Sequence, residues 1–420
     1  MIPISAISRG GFSMNENKRV MIKFKFIEGV EEYGIQYDWN KIRKTFRGLK
    51  TPANLWDPTE VPWESIAYDV ELSTRATGKT TQAILFGMCA RKCYPGFQIG
   101  LMRCREDQIM PKNVSKMLDT IRTYDGGRYI HYLTDGRWND IQHDKQTRSF
   151  RYVNRDERGD IFEKEEEPFL MLLDLPEADD YKSSFNAPRM DMLIFDEFIA
   201  ELYDPESFGR LMTWISTIFR KRLSGKLCMM ANTIRPASPW YRELEISKEL
   251  RKLKLGDPGK LYTTALGTPI WMHVFDTPSE HRRKIASWFF GFKNPALAAI
   301  RGDGELWVYR QFQRILYNRE TDEKISQALK IDTGEELLGV DIVNTEDRGL
   351  VANIHPITKI REDDIVLTNG EIWDKQHRKV RGYGPLCDLL ETLEARGKLY
   401  FSDAETVTSY DAYMAEADAA

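Results

Sequence analysis

The chain has 420 residues, of which 42% are hydrophobic, 11% aromatic and 30% charged, and its formal net charge is −4. Such a composition buries sizeable cores and excludes a disordered, collagenous or coiled-coil fibrous protein, while the length, at about 100–200 residues per domain, predicts two or three domains. No apolar run approaches the ~18–20 residues that cross a bilayer, and the first residues lack the apolar core of a secretory leader. The lack of a spanning run predicts no membrane partner, and the five cysteines, Cys89, Cys93, Cys104, Cys228 and Cys387, are scattered, which predicts a reducing compartment. Sixty basic against 64 acidic residues exclude a whole-surface nucleic-acid coat but allow a local basic stripe.

In chain order, residues 20–26 alternate in polarity as a strand does, and 40–51 read as a basic helix. Pro52, Pro58 and Pro62 then predict a loop. A strand at 66–72, a turn at 73–80, a helix at 81–92 ended by Pro95-Gly96, and a strand at 97–102 predict a parallel α/β sheet. Residues 113–123 have helical spacing, 130–173 predict short strands with charged turns, and the charge run 155–167 an exposed hairpin tip. Strands at 192–195, 226–231 and 270–275, with an amphipathic helix at 208–220, complete one α/β domain with five alternating strands. Residues 280–317 read as helical with a break at 291–295. From Lys324 the pattern becomes short strands at 328–331, 337–343, 349–354 and 365–368, a helix at 384–396 and a strand at 398–401, a small α+β domain. The end of the chain, 402–420, holds Asp403, Glu405, Asp411, Glu416 and Asp418 and no base, which predicts a solvated, frayed tail.

Two segments carry chemistry. Ser73-Thr74-Arg75-Ala76-Thr77-Gly78-Lys79-Thr80 reads as a phosphate-binding loop that lacks its first glycine. Consecutive backbone N–H groups and the following helix N-terminus would wrap phosphates, Lys79 would reach the β- and γ-phosphates, and the Thr80 hydroxyl would bind Mg²⁺. Met192-Leu193-Ile194-Phe195-Asp196-Glu197 is an apolar strand from whose end two carboxylates emerge. Asp196 would support Mg²⁺ and Glu197 would orient and activate the attacking water. Together they predict an ATPase with ATP and Mg²⁺ as cofactors.

Other residues leave alternatives open. Arg220 and Arg222, flanking Lys221, either stabilise a helix C-terminus or supply an arginine finger to a neighbouring subunit. Arg75 is placed to contact phosphate or Glu197, and Asn232 either senses the γ-phosphate or ends a strand in a plain loop. Arg103, Arg105, Lys112, Lys116, Arg282-Arg283-Lys284 and the basic run 377–381 are candidate DNA contacts or solvated faces. The six histidines lack metal spacing, and Cys89 and Cys93 read as packing residues.

These segments resemble the DNA-packaging (encapsidation) ATPase of phi29-like podoviruses, a ring motor related to terminase large subunits. The resemblance rests on Ser73-Thr74-Arg75 with Gly78-Lys79-Thr80, on Leu193-Ile194-Phe195-Asp196-Glu197-Phe198-Ile199, and on Ile218-Phe219-Arg220-Lys221-Arg222, where Arg220 would be the trans-acting arginine. Glu280-His281-Arg282-Arg283-Lys284 and Leu337-Leu338-Gly339-Val340-Asp341 extend it, over roughly residues 60–410. It implies an N-terminal extension at 1–60, a P-loop ATPase domain of ASCE type at 61–277, a short helical linker at 278–325, and a small α+β RNase H-like domain, a vestigial nuclease, at 326–420. It implies translocation of double-stranded DNA by a homopentameric ring on the portal (connector) of a procapsid in the host cell cytoplasm. Members of that group also use a scaffold RNA, which this sequence neither requires nor excludes. An active terminase nuclease would need Asp332, Asp341 and Asp403 to converge around metal ions; a nucleotide-gated DNA-binding protein is the remaining alternative, against which Glu197 argues.

Overall fold

The computed structural model describes residues 20–27, 30–52, 55–73, 77–123, 128–178, 190–199, 206–219, 222–231, 238–250, 252–254, 256–275, 323–334, 336–368, 376–379 and 385–419. The chain divides into two compact units, one of Met1–Asp69, Gly78–Asp196 and Thr213–Met229, the other of Val70–Thr77, Glu197–Met212 and Met230–Ala420.

β1 (Val20–Ile27) and β2 (Val30–Gln36) form an antiparallel ladder. Asp38 then caps α1 (Trp39–Arg47), its carboxylate accepting the Lys41 N–H at 3.1 Å. Trp39, Ile42 and Phe46 recur at helical spacing and are buried. Trp39 and Phe46 meet Phe86, whose ring lies 6.2 Å from Trp39, 5.7 Å from Phe46 and 5.3 Å from Trp63. Phe86 belongs to α2 (Lys79–Cys93), which follows β3 (Tyr68–Ser73) and is buried on nearly every side, as its unbroken apolar run from Ala83 to Ala90 requires. Gly87 permits this: a Cβ there would lie 2.5 Å from Ile99 Cδ1 on β4 (Ile99–Arg103).

After α3 (Pro111–Thr123) and α4 (Arg128–Leu133) come β5 (Asp140–Asp144), β6 (Ser149–Arg155), β7 (Ile161–Lys164), β8 (Leu170–Asp174), β9 (Met192–Asp196), α5 (Ser207–Phe219), β10 (Lys226–Ala231), β11 (Lys260–Thr263) and β12 (Pro269–Phe275). Among the described residues the larger sheet has ten strands in the order β11-β12-β3-β10-β9-β4-β8-β6-β5, with β7 beside β6. β4 runs parallel to β8 and β9, pairing Met102 with Leu173 and Phe195. The β5–β6–β7 and β11–β12 ladders are antiparallel. The fold is therefore mixed α/β, with parallel strands at the centre. Every residue of β9 is buried, as in a strand covered on both faces.

The C-terminal sheet is built from β13 (Glu323–Asp332), β14 (Leu337–Thr345), β15 (Gly349–Ile357), β16 (Ile365–Thr368), β17 (His377–Lys379) and β18 (Leu399–Phe401), in the order β17-β16-β13-β14-β15-β18. β13, β14 and β15 form an antiparallel meander; β16 is parallel to β13, β17 to β16, and β18 to β15. Leu338, Val340 and Ile342 on one face join a core with residues of α6 (Pro385–Ala395) and α7 (Ala404–Ala419).

Three expectations are corrected. The acidic end is a helix, not a frayed tail: Val407, Tyr410, Tyr413 and Met414 recur every three or four residues and bury in that core, and Asp403 caps it by accepting the Thr406 N–H at 2.8 Å. Residues 130–133 continue α4 rather than opening a strand, since Tyr129, Ile130 and Leu133 bury on one helical face. Among the described residues the α/β sheet holds ten strands rather than five, because β5 to β8, from 140 to 174, and β11, from 260 to 263, join it. The expected helix at 280–317 lies outside the described residues.

Candidate active site

β3 ends at Ser73, and α2 opens at Lys79. The helix is preceded by Gly78 at φ 72°, a left-handed conformation that glycine adopts without cost. Leu55 also packs over it, so that a Cβ on Gly78 would lie 3.0 Å from Leu55 Cδ2. The Ser73 and Thr77 hydroxyl oxygens are 2.7 Å apart and buried. A side-chain bond thus closes the loop at the position where the common pattern has glycine.

The first helical bond runs from the Gln82 N–H to the Gly78 carbonyl at 2.9 Å, and Gly78, the N-cap residue, has no side chain with which to cap the helix. Fifteen residues of aligned peptide dipoles place positive potential there. Lys79 is buried at this positive end. That position is unfavourable for a cation by itself and favourable beside a polyanion.

Thr80 Oγ1 donates to Asp196 Oδ1 at 2.8 Å, and Arg103 Nη2 donates to Asp196 Oδ2 at 2.6 Å. Asp196 is 3% exposed. β4 and β9 are adjacent and parallel, so their C-terminal ends bring Arg103 and Asp196 together. A threonine hydroxyl beside a buried carboxylate is an oxygen donor pair of the kind Mg²⁺ takes, and the residues fit that ion. The next residue, Glu197, has φ 54°, a left-handed conformation that costs a non-glycine residue roughly 1–2 kcal/mol. Phe198 beyond it is buried and donates its N–H to the Met230 carbonyl at 3.3 Å.

Arg222 is a structural clamp rather than an available finger. It pairs with buried Asp191 at 2.6 Å, donates to the Ile218 and Phe219 carbonyls at 2.9 and 3.0 Å, and also reaches the Met190 carbonyl. Asp191 further accepts from Tyr37 Oη at 2.7 Å and from the Gln98 N–H at 3.0 Å. The end of α5 is thereby fastened to the start of β9.

Of the sequence-derived site residues, Thr80 and Asp196 meet directly, Ser73 and Thr77 close the loop, Gly78 and Lys79 form the helix start, and Glu197 follows Asp196 in the chain. Thr74, Arg75, Ala76, Arg220 and Asn232 lie outside the described residues. Arg103 moves from the list of DNA candidates to the site; the available signal was its place at the carboxyl end of a strand, where parallel sheets bind ligands. Lys112 and Lys116 are exposed on α3, and Arg105 pairs with Asp107 at 3.1 Å. His273 Nδ1 lies 3.0 Å from Glu71 Oε2, placing one of the dispersed histidines against the strand that leads into the loop.

The C-terminal carboxylates have local duties. Asp403 caps α7, Asp332 accepts the Gly334 N–H at 2.9 Å in a turn, and Asp341 pairs with His355 Nε2 at 3.1 Å. Asp332 pairs with Leu337, so Asp341 lies four residues, or ~13 Å, farther along β14. Among the described residues no group of three or more His, Cys, Asp or Glu is gathered to hold a metal ion.

The class is thus an α/β chain in which a strand, a tight glycine turn and a helix face an acidic strand end, followed by a second mixed sheet. No protein-family model matches the chain, and no curated protein matches it by sequence. Its fold is that of a solved structure, the Phi-28 gp11 DNA packaging motor: the TM-score is 0.52 at 17% identity, over 87% of this chain and 98% of that one. Weaker likenesses include the bacteriophage Phi-29 viral genome packaging motor assembly, with TM-score 0.48 and 15% identity over 86% and 98% of the two chains. The large terminase of a thermophilic bacteriophage has TM-score 0.36 and 10% identity over 90% and 86%.

Proposed function

We propose that this chain is the ATPase subunit of a viral packaging motor, hydrolysing ATP to move double-stranded DNA into a procapsid. The carrying observation is the Thr80–Asp196 pair beside the start of α2, with Glu197 as the next residue. Backbone N–H groups at 77–80 and the Lys79 ammonium hold the phosphates. Thr80 and Asp196 hold Mg²⁺, which offsets charge on the β- and γ-phosphates. Glu197 accepts the proton of the attacking water, and its strained backbone fixes the direction of its carboxylate. Arg75 contacts phosphate, Asn232 senses the γ-phosphate, and Arg220 acts from one subunit on the next.

The finer architecture belongs to the same reading: an N-terminal extension at 1–60, an ASCE-type ATPase domain at 61–277, a linker at 278–325 and an RNase H-like domain at 326–420. The order of the C-terminal strands, a three-stranded antiparallel meander extended by parallel strands beside β13, supports the last assignment. The local duties of Asp332, Asp341 and Asp403 favour a domain that does not cleave DNA. The subunits work as a ring, a pentamer, on the portal of a procapsid in the host cytoplasm; a scaffold RNA would dock there.

DNA-stimulated ATP hydrolysis, followed by packaging into purified procapsids, tests the reading. Stimulated turnover that disappears in Glu197→Gln is the expected result. A chain that binds ATP without hydrolysing it, with or without DNA, overturns it.

A further inference from the structure

The Asp196 carboxylate has two oxygens, and both are engaged: Oδ1 by the Thr80 hydroxyl at 2.8 Å and Oδ2 by the Arg103 guanidinium at 2.6 Å. The Asp196 side chain is 5% exposed and that of Arg103 19%, so solvent screens this pair little. A divalent cation held by Thr80 and Asp196 would share the same small carboxylate with a guanidinium that cannot lose its proton. Two cations beside one buried carboxylate repel strongly. Arg103 is also tethered elsewhere, since its Nη1 donates to the Gln108 carbonyl at 3.4 Å in the short helical turn at 106–109 while Nη2 binds Asp196.

We infer that Arg103 and the divalent cation compete for Asp196, so that Arg103 is a positioning residue that sets the metal affinity of the site. Arg103 neutralises Asp196 and holds it against Thr80. A bare divalent ion then has to displace a good ion pair and binds weakly. A metal arriving with a nucleotide brings phosphate oxygens as additional ligands, and these make the exchange favourable. Arg103 keeps its bond to the Gln108 carbonyl and releases Asp196 as the metal enters. The site thereby prefers a metal–nucleotide complex over free metal. This inference rests on the reading of Thr80 and Asp196 as metal ligands.

The test titrates the full-length protein with Mn²⁺ alone, following free Mn²⁺ by electron paramagnetic resonance. Arg103→Gln, which removes the charge but keeps a hydrogen-bond donor, binds Mn²⁺ at least ~10-fold more tightly than wild type. Arg103→Lys, which restores a cation, returns binding toward the wild-type value. The double variant Arg103→Gln, Asp196→Asn loses the gain. Equal Mn²⁺ affinity in wild type and Arg103→Gln, or a gain that survives Asp196→Asn, overturns the inference. A second measurement uses wild-type protein in case the glutamine variant does not fold. The Arg103 side-chain Nε resonance, assigned as the one missing from Arg103→Lys, shifts when Mg²⁺ and ATP are added together; an unmoved resonance overturns the inference. A wild-type chain that binds no fluorescent ATP analogue defeats the nucleotide reading, whereas the Mn²⁺ titration needs no nucleotide and judges the competition separately.

Discussion

Ser73 and Thr77 face one another across the loop between β3 and α2 with hydroxyl oxygens 2.7 Å apart, both residues being buried. The loop therefore uses a side-chain bond where a glycine would use backbone freedom. Removing that bond costs about 1 kcal/mol. Ser73→Gly, although closer to the common pattern, melts at a lower temperature than wild type while still binding ATP. Thermal melts with and without nucleotide check this; an unchanged melting temperature would show that the bond contributes nothing.

Lys79→Ala and Asp196→Ala lose ATP turnover, because each removes charge from the metal–phosphate cluster. Glu197→Gln binds ATP and hydrolyses it slowly. Glu197→Gly also loses turnover, but it relieves a φ of 54° and does not lower the melting temperature. Turnover and melting measured on the same samples separate the carboxylate's chemistry from its backbone strain. Full DNA-stimulated turnover in Glu197→Gln would remove the water-activating role.

Arg220 and Arg222 differ sharply in expected behaviour. Arg222→Ala leaves Asp191 buried without its cation and destabilises the fold by about 3 kcal/mol or more. Arg220→Ala keeps the melting temperature and ATP binding but lowers turnover by orders of magnitude. Mixing Arg220→Ala subunits with Lys79→Ala subunits restores some hydrolysis, since a sound arginine then faces a sound phosphate loop. Normal hydrolysis by Arg220→Ala alone would defeat the trans role.

Lys226 gives the pH dependence. Burial pushes its ammonium down to about 8, only partly opposed by Glu64. Between that value and its ordinary 10.5 the unfolded chain binds more protons than the folded one, so this group's contribution to stability rises with pH over that window. Below about 8 its desolvation penalty is fully present. The stability of wild type relative to Lys226→Met therefore rises from about pH 8 to about pH 10, as the Lys226 desolvation penalty is released. Denaturant unfolding of both proteins across that range checks the sign; a relative stability that falls with pH would contradict it.

Binding to double-stranded DNA is expected to be independent of sequence and to weaken steeply with salt, because the exposed cations Lys112 and Lys116 offer phosphate contacts. A salt titration of affinity on two unrelated duplexes checks this, and a flat response or a strong preference for one duplex would refute it.

What the sequence determined by itself is local in the chain. The turn at Gly78, the helix from Lys79 and the buried strand ending at Asp196 are legible because each is a contiguous run with its own period and its own breaker. The C-terminal meander was legible for the same reason. The acidic end reads as a tail in sequence because its charges obscure the spacing of Val407, Tyr410 and Met414, whose partners lie on other elements. Tertiary structure alone decided the relationships between distant residues. Arg103 and Asp196 are 93 residues apart, and only the parallel pairing of β4 with β9 makes this cation, in sequence a candidate DNA contact or solvated side chain, a partner of the buried carboxylate. Arg222 was indistinguishable from a finger until Asp191 was found beside it. A buried charge must find its counter-charge, and which residue supplies it is set by strand order and register, quantities that no local pattern carries.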